Sequence, residues 1–148
     1  MESRLNNTQI ALLQIIAGDM IPSSERFKVP GADDESIFHA ILLAAEREYA
    51  RLIDALNLLE SSAQSKHGKA FSSLDPSKRI SIFEALSLEF GAVVNVIGEL
   101  ILQCYYRDDR VLHSLNMESR APFPDGHEVE ESDWSLLNPV RNRGKIYR

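Results

Sequence analysis

Phe38, Leu42, Ala45, Tyr49, Leu52, Leu56 and Leu59 are separated by alternating steps of four and three. That spacing puts all seven side chains on one stripe of an α-helix, whereas strand side chains alternate every two residues. The stripe predicts a single helix of about 25 residues. Asp33, Asp34 and Glu35 stand at its start, supplying a capping oxygen and negative charge where a helix N-terminus favours both. Glu46, Arg47, Glu48, Arg51 and Asp54 fall mostly off the stripe, and Glu48 with Arg51, and Arg51 with Asp54, are spaced to pair on a solvated face. One stripe held for three heptads points to a packed bundle rather than a long coiled coil.

Proline placement sets the other boundaries. Pro22 and Pro30 flank an early loop over residues 21–31, Pro76 follows Asp75 in an N-cap and first-turn arrangement, and Pro122, Pro124 and Pro139 crowd the end. A short first helix is expected from a cap near Asn7 or Thr8 to Gly18. Residues 61–71 are polar and contain Gly68, which predicts a loop, and Ile80, Phe83, Leu86 and Phe90 carry a helix to Gly91. Residues 92–106 are apolar nearly all round, broken only by Asn95, Glu99 and Gln103 at steps of four. A helix with one narrow polar stripe belongs in the middle of a bundle, surrounded by the others. Asp108 and Asp109 can cap a last short helix through Val111, Leu112 and Leu115. The expected architecture is all-α: a bundle of four to five helices over residues 1–117 and an extended irregular tail over 118–148, together one domain.

Composition narrows the function classes. The 148 residues carry 16 Lys+Arg against 22 Asp+Glu, a formal charge of −6. No basic cluster of the kind that binds nucleic acid or an anionic membrane is legible. Cys104 is the sole cysteine, so no intrachain disulfide can form, and its apolar neighbours predict a buried structural thiol. The longest apolar run is shorter than a membrane span and contains Glu99. The N-terminus shows neither a secretory signal pattern nor a twin-arginine pair, so a cytoplasmic chain is expected, with co-export alongside a signal-bearing partner as the alternative.

Candidates for chemistry are few. His39, His67, His113 and His127 lie in no two-histidine metal spacing. His127 adjoins Glu128, Glu130, Glu131 and Asp133, hard-cation ligands by type, but without the spacing or turn glycine of a calcium loop. Glu99, if buried, would have its pKa raised into a range useful for acid–base work; its neighbours Asn95 and Gln103 favour a solvent- or partner-facing strip. No phosphate-binding glycine loop, nucleophile elbow or dinucleotide fingerprint is present. The tail is the distinctive feature, because Phe123, Trp134, Leu136, Leu137, Val140, Ile146 and Tyr147 are costly to leave in water. They should cover either the bundle itself or a partner.

Several phrases in order carry a resemblance: LLQIIAGDMIP from Leu12, VPGA from Val29, AF at Ala70 with LDP at Leu74 and Arg79, YYRDDRV from Tyr105, APFPDGH from Ala121, DWSLLNPV from Asp133 and RGKIYR at the end. Together they resemble the gluconate 2-dehydrogenase subunit 3 family, the small subunits of FAD-dependent dehydrogenases of the glucose–methanol–choline class. The resemblance implies a mostly helical, non-catalytic subunit with no cofactor or metal of its own. It implies a large flavoprotein partner that holds FAD and oxidises a sugar, sugar acid or glycoside, with a c-type cytochrome as a further component. The role implied is to bind, stabilise or help mature that partner. The expected interface comprises Tyr105, Tyr106, Arg107, Asp108 and Asp109, then Pro122, Phe123, Pro124, Gly126 and His127, then Asp133, Trp134, Leu137, Pro139, Val140, Arg143, Tyr147 and Arg148. A helical adaptor with an unrelated partner, or a small metal-binding helical enzyme, stands as the alternative.

Overall fold

The structure, a computed structural model, describes residues 4–120, 123–124, 126 and 131–143. The described residues form helices and turns with no β-strand: α1 (Asn7–Met20), α2 (Glu35–Ala45), α3 (Tyr49–His67), α4 (Pro76–Glu89), α5 (Gly91–Tyr105), α6 (Asp109–Ser114) and the single-turn α7 (Asn138–Arg141), with 3-10 turns at Phe71–Ser73 and Trp134–Leu137. The all-α expectation holds. The N-cap of α1 is Asn6, one residue before the predicted position near Asn7 or Thr8, because Asn6 and Gln9 form a reciprocal capping box, Asn6 Oδ1 accepting from the Gln9 N–H at 2.9 Å and Gln9 Oε1 from the Asn6 N–H at 3.0 Å. It also runs past Gly18 to Met20. The 21–31 loop closes on itself through paired backbone bonds between Ser24 and Val29.

The single long helix predicted from the seam is two helices. The chain turns over Glu46, Arg47 and Glu48, where Arg47 and Glu48 N–H groups bond back to the Ala44 and Ala45 carbonyls in i→i+3 turns. The break involves no glycine or proline and keeps the apolar spacing, so the period cannot report it. Both halves still turn an apolar side to the core, Ile37, Phe38, Ile41 and Ala45 from α2 and Leu52, Ala55, Leu56 and Leu59 from α3, while Leu42 and Tyr49 of the stripe are half-buried. The loop expected over 61–71 is likewise corrected. α3 continues to His67, because Ala63 is a core contact and the polar residues around it are the helix's wet face. The stop comes at Gly68, whose left-handed φ of +62° accommodates a C-cap that an L side chain rarely adopts. α4 starts at Pro76 as expected, although the Asp75 carboxylate pairs with Lys78 at 3.1 Å instead of capping the backbone.

α5 packs on α2, α3 and α4. Val94, Val96, Ile97, Leu100, Ile101 and Cys104 enter the core beside Leu13, Ile41, Leu52 and Leu59. It is not surrounded, however. Val93, Asn95, Glu99, Leu102, Gln103 and Tyr106 form an exposed stripe along it, so a nearly apolar helix here still has one open face. No polar or charged residue is buried among the described residues. α1 is tied to α4 by Arg79, which forks onto the Asp19 carboxylate, Nη2 to Oδ1 at 2.8 Å, and donates also to the Leu74 carbonyl. No described helix is long and apolar enough to cross a membrane.

Candidate partner-binding surface

The ends of α2, α5 and α6 meet around one arginine. Asp34 caps α2 by accepting from the Ser36 N–H, and Asp108 caps α6 by accepting from the Arg110 N–H at 3.0 Å. Each cap places a carboxylate where helix N-termini favour negative charge. The Arg110 guanidinium spans the two, reaching Asp34 Oδ1 at 2.8 Å, Asp108 Oδ1 and Oδ2 at 3.0 Å and Ser36 Oγ at 2.8 Å. Arg110 side-chain bonds hold the Asp34 carboxyl well below the usual carboxylate range, with Ser36 assisting. The same guanidinium lowers Asp108, and the bonds to Asp108 and then Asp34 raise Arg110.

Linkage fixes the sign of the pH effect. Because the folded carboxyls titrate below their ordinary value of 3.8, their contribution is complete above that value and disappears as pH falls through the lower folded values. Arg110 is half exposed, so Arg110→Ala is expected to cost only about 1 kcal/mol at neutral pH. The gap between wild type and variant should then shrink as urea melts are taken below about pH 4. A gap independent of pH would contradict this account of the staple.

Beside the staple lies a cleft of about 700 Å³. Its floor is Ile37, Ala40, Leu43, Ala44 and Cys104, and its rim carries Arg47, Arg107 and Arg110 against Asp108 and Asp109. Arg47 and Arg107 form no ion pair with a described residue. Leu43 is half exposed, so apolar surface is open to a ligand here. Cys104 is buried, and burial pushes its thiol pKa up, as expected of a structural rather than reactive cysteine.

The interface residues expected from sequence divide by environment. Tyr105 is only 5% exposed and donates its hydroxyl to the Pro30 carbonyl at 3.2 Å; it braces the 21–31 loop from inside the bundle and is not a surface contact. Tyr106, stacked edge-on against it at 5.3 Å, is half exposed. Arg107 and Asp109 are exposed on the cleft rim, and Asp108 serves the cap and the staple. In the tail, Phe123, Pro124, Asp133, Trp134, Leu137, Pro139, Val140 and Arg143 are exposed and Gly126 is half-buried at a φ of +72°. Pro122, His127, Tyr147 and Arg148 lie outside the described residues, as do Glu128 and Glu130. The tail is also less irregular than expected: Asp133 Oδ1 accepts from the Ser135 N–H at 2.9 Å and starts the turn that leads into α7.

His39, His67 and His113 are separately exposed, Glu99 is exposed on the open face of α5, and no three His, Cys, Asp or Glu side chains converge among the described residues. The cleft itself escaped sequence reading. Arg110 and Asp34 are 76 positions apart, and nothing in either local pattern announces the other.

The geometry is that of a small all-α protein with an arginine-rimmed surface cleft and a projecting apolar segment. The chain belongs to the gluconate 2-dehydrogenase subunit 3 family, whose model matches residues 7–118. The match takes in α1 to α6 and the YYRDDRV phrase and stops before the APFPDGH and DWSLLNPV phrases of the tail. No curated protein and no solved structure matches the chain.

Proposed function

We propose that this chain is the non-catalytic small subunit of an FAD-dependent dehydrogenase of the glucose–methanol–choline class, and that it binds and stabilises, or helps mature, the large flavoprotein subunit. The observation that carries this reading is the family match over residues 7–118, since the family is named for a dehydrogenase subunit. Exposed Trp134, Leu136, Val140 and Phe123 support it, because large apolar side chains in water are the usual mark of a surface meant for a partner. FAD and the sugar, sugar-acid or glycoside substrate then belong to the large subunit, and a c-type cytochrome is a further component of the complex. Assembly is proposed in the cytoplasm, with export of the folded complex under a partner's signal as the alternative. Co-expression with the flavoprotein encoded beside this chain tests the reading, and a co-purifying complex containing FAD is the expected result.

A further inference from the structure

The tail and the cleft are complementary in both polarity and charge. Residues 131–140 order acids before apolar side chains: Glu131 and Asp133, then Trp134, Leu137 and Val140 at steps of three, which a helical turn places along one side. The cleft offers the matching order, with Arg47 and Arg107 on the rim and Leu43, Ala40 and Ala44 presenting its open apolar surface. Arg110 is committed to Asp34 and Asp108, so the unpaired charges on the rim are Arg47 and Arg107 against Asp109, a small positive excess for the Glu131 and Asp133 carboxylates to meet. Reach is no obstacle. The 13 steps from Glu118 to Glu131 span up to about 45 Å when extended, whereas α5, at 15 residues, is about 22 Å long.

In the structure the segment stands open, with Trp134 64% and Leu136 74% exposed. We infer that in the free chain residues 131–140 also dock in the α2–α5–α6 cleft, Trp134 and Leu137 on its apolar floor and Glu131 and Asp133 against Arg47 and Arg107. The docked tail shields its own apolar surface and fills the cleft until something displaces it. The inference needs no partner and stands or falls apart from the subunit reading.

Trp134 is the chain's one tryptophan, so its fluorescence reports the tail directly. For the full chain, blue-shifted emission and protection from acrylamide are expected, unchanged on dilution and weakened by salt, because the rim contacts are partly exposed. The R47E/R107E variant should shift Trp134 emission to the red and remove the protection, and E131K/D133K should do the same from the tail side, where no core residue is touched. Combining all four substitutions should restore both signals. Free-indole emission in the wild-type chain, protection that survives either charge reversal, or protection that falls on dilution, as for a second copy, would each overturn the inference.

Discussion

Replacing Arg79 by alanine is expected to lower the unfolding free energy by about 3 kcal/mol, because it strips the partner from a carboxylate that the fold has largely removed from water. The Arg79 and Asp19 side chains are 12% and 15% exposed. The guanidinium makes the two-pronged contact that arginine geometry favours, and adds a bond to the Leu74 carbonyl at the turn before α4. Its pKa is raised, chiefly by the Asp19 hydrogen bonds. One side chain therefore joins α1, the 3-10 turn region and α4, and its loss leaves Asp19 and the Leu74 carbonyl without it. At this chain length the cost corresponds to a fall in melting temperature of about 6–12 °C. Arg51→Ala, which removes an exposed i,i+3 pair with Glu48, should cost about 0.4 kcal/mol. Arg79→Lys should sit between them, keeping the charge and losing the fork. Thermal and urea melts of the three variants decide it, and an Arg79→Ala cost no larger than that of Arg51→Ala would contradict the assignment.

A chain ending at Met117 is expected to fold and to fail in assembly. The buried hydrophobic residues among those described run from Leu5 to Val111, so the truncation removes none of them. It does remove Phe123, Trp134, Leu136, Leu137 and Val140, the densest group of exposed apolar side chains. If these residues anchor the partner, as aromatic residues in interface centres commonly do, co-purification with the flavoprotein should be lost while helical content and melting cooperativity persist. Assembly unchanged by size-exclusion chromatography would move the interface onto residues 7–117. The family match ends at Glu118, so the two outcomes also separate what the family shares from what the tail adds.

Much of this fold was legible in the sequence for identifiable reasons. Aspartates at 34, 75 and 108 mark three helix starts because short polar side chains and negative charge suit those positions, although only Asp34 and Asp108 close a capping bond. The strip of Asn95, Glu99 and Gln103 marks the open face of α5 because steps of four follow one side of a helix. What escaped was tertiary. The turn at Glu46–Glu48 keeps the apolar spacing on either side, so a local period reads straight through it. The polar residues over 61–71 look like a loop until Ala63 is seen in the core. Tyr105 sits in a phrase that suggests an interface, yet its hydroxyl is used 75 residues away on the Pro30 carbonyl. The Arg110 staple and the Arg79 fork join positions far apart in the chain, and no single-sequence pattern encodes such pairings.

The most direct measurement is co-expression of this chain with the proposed large flavoprotein subunit, followed by affinity capture of this chain and size-exclusion chromatography monitored at the flavin absorbance. The account predicts one co-eluting species containing both chains and FAD. A stable chain that elutes alone, with the flavoprotein folded and fully flavin-loaded in its absence, would contradict it.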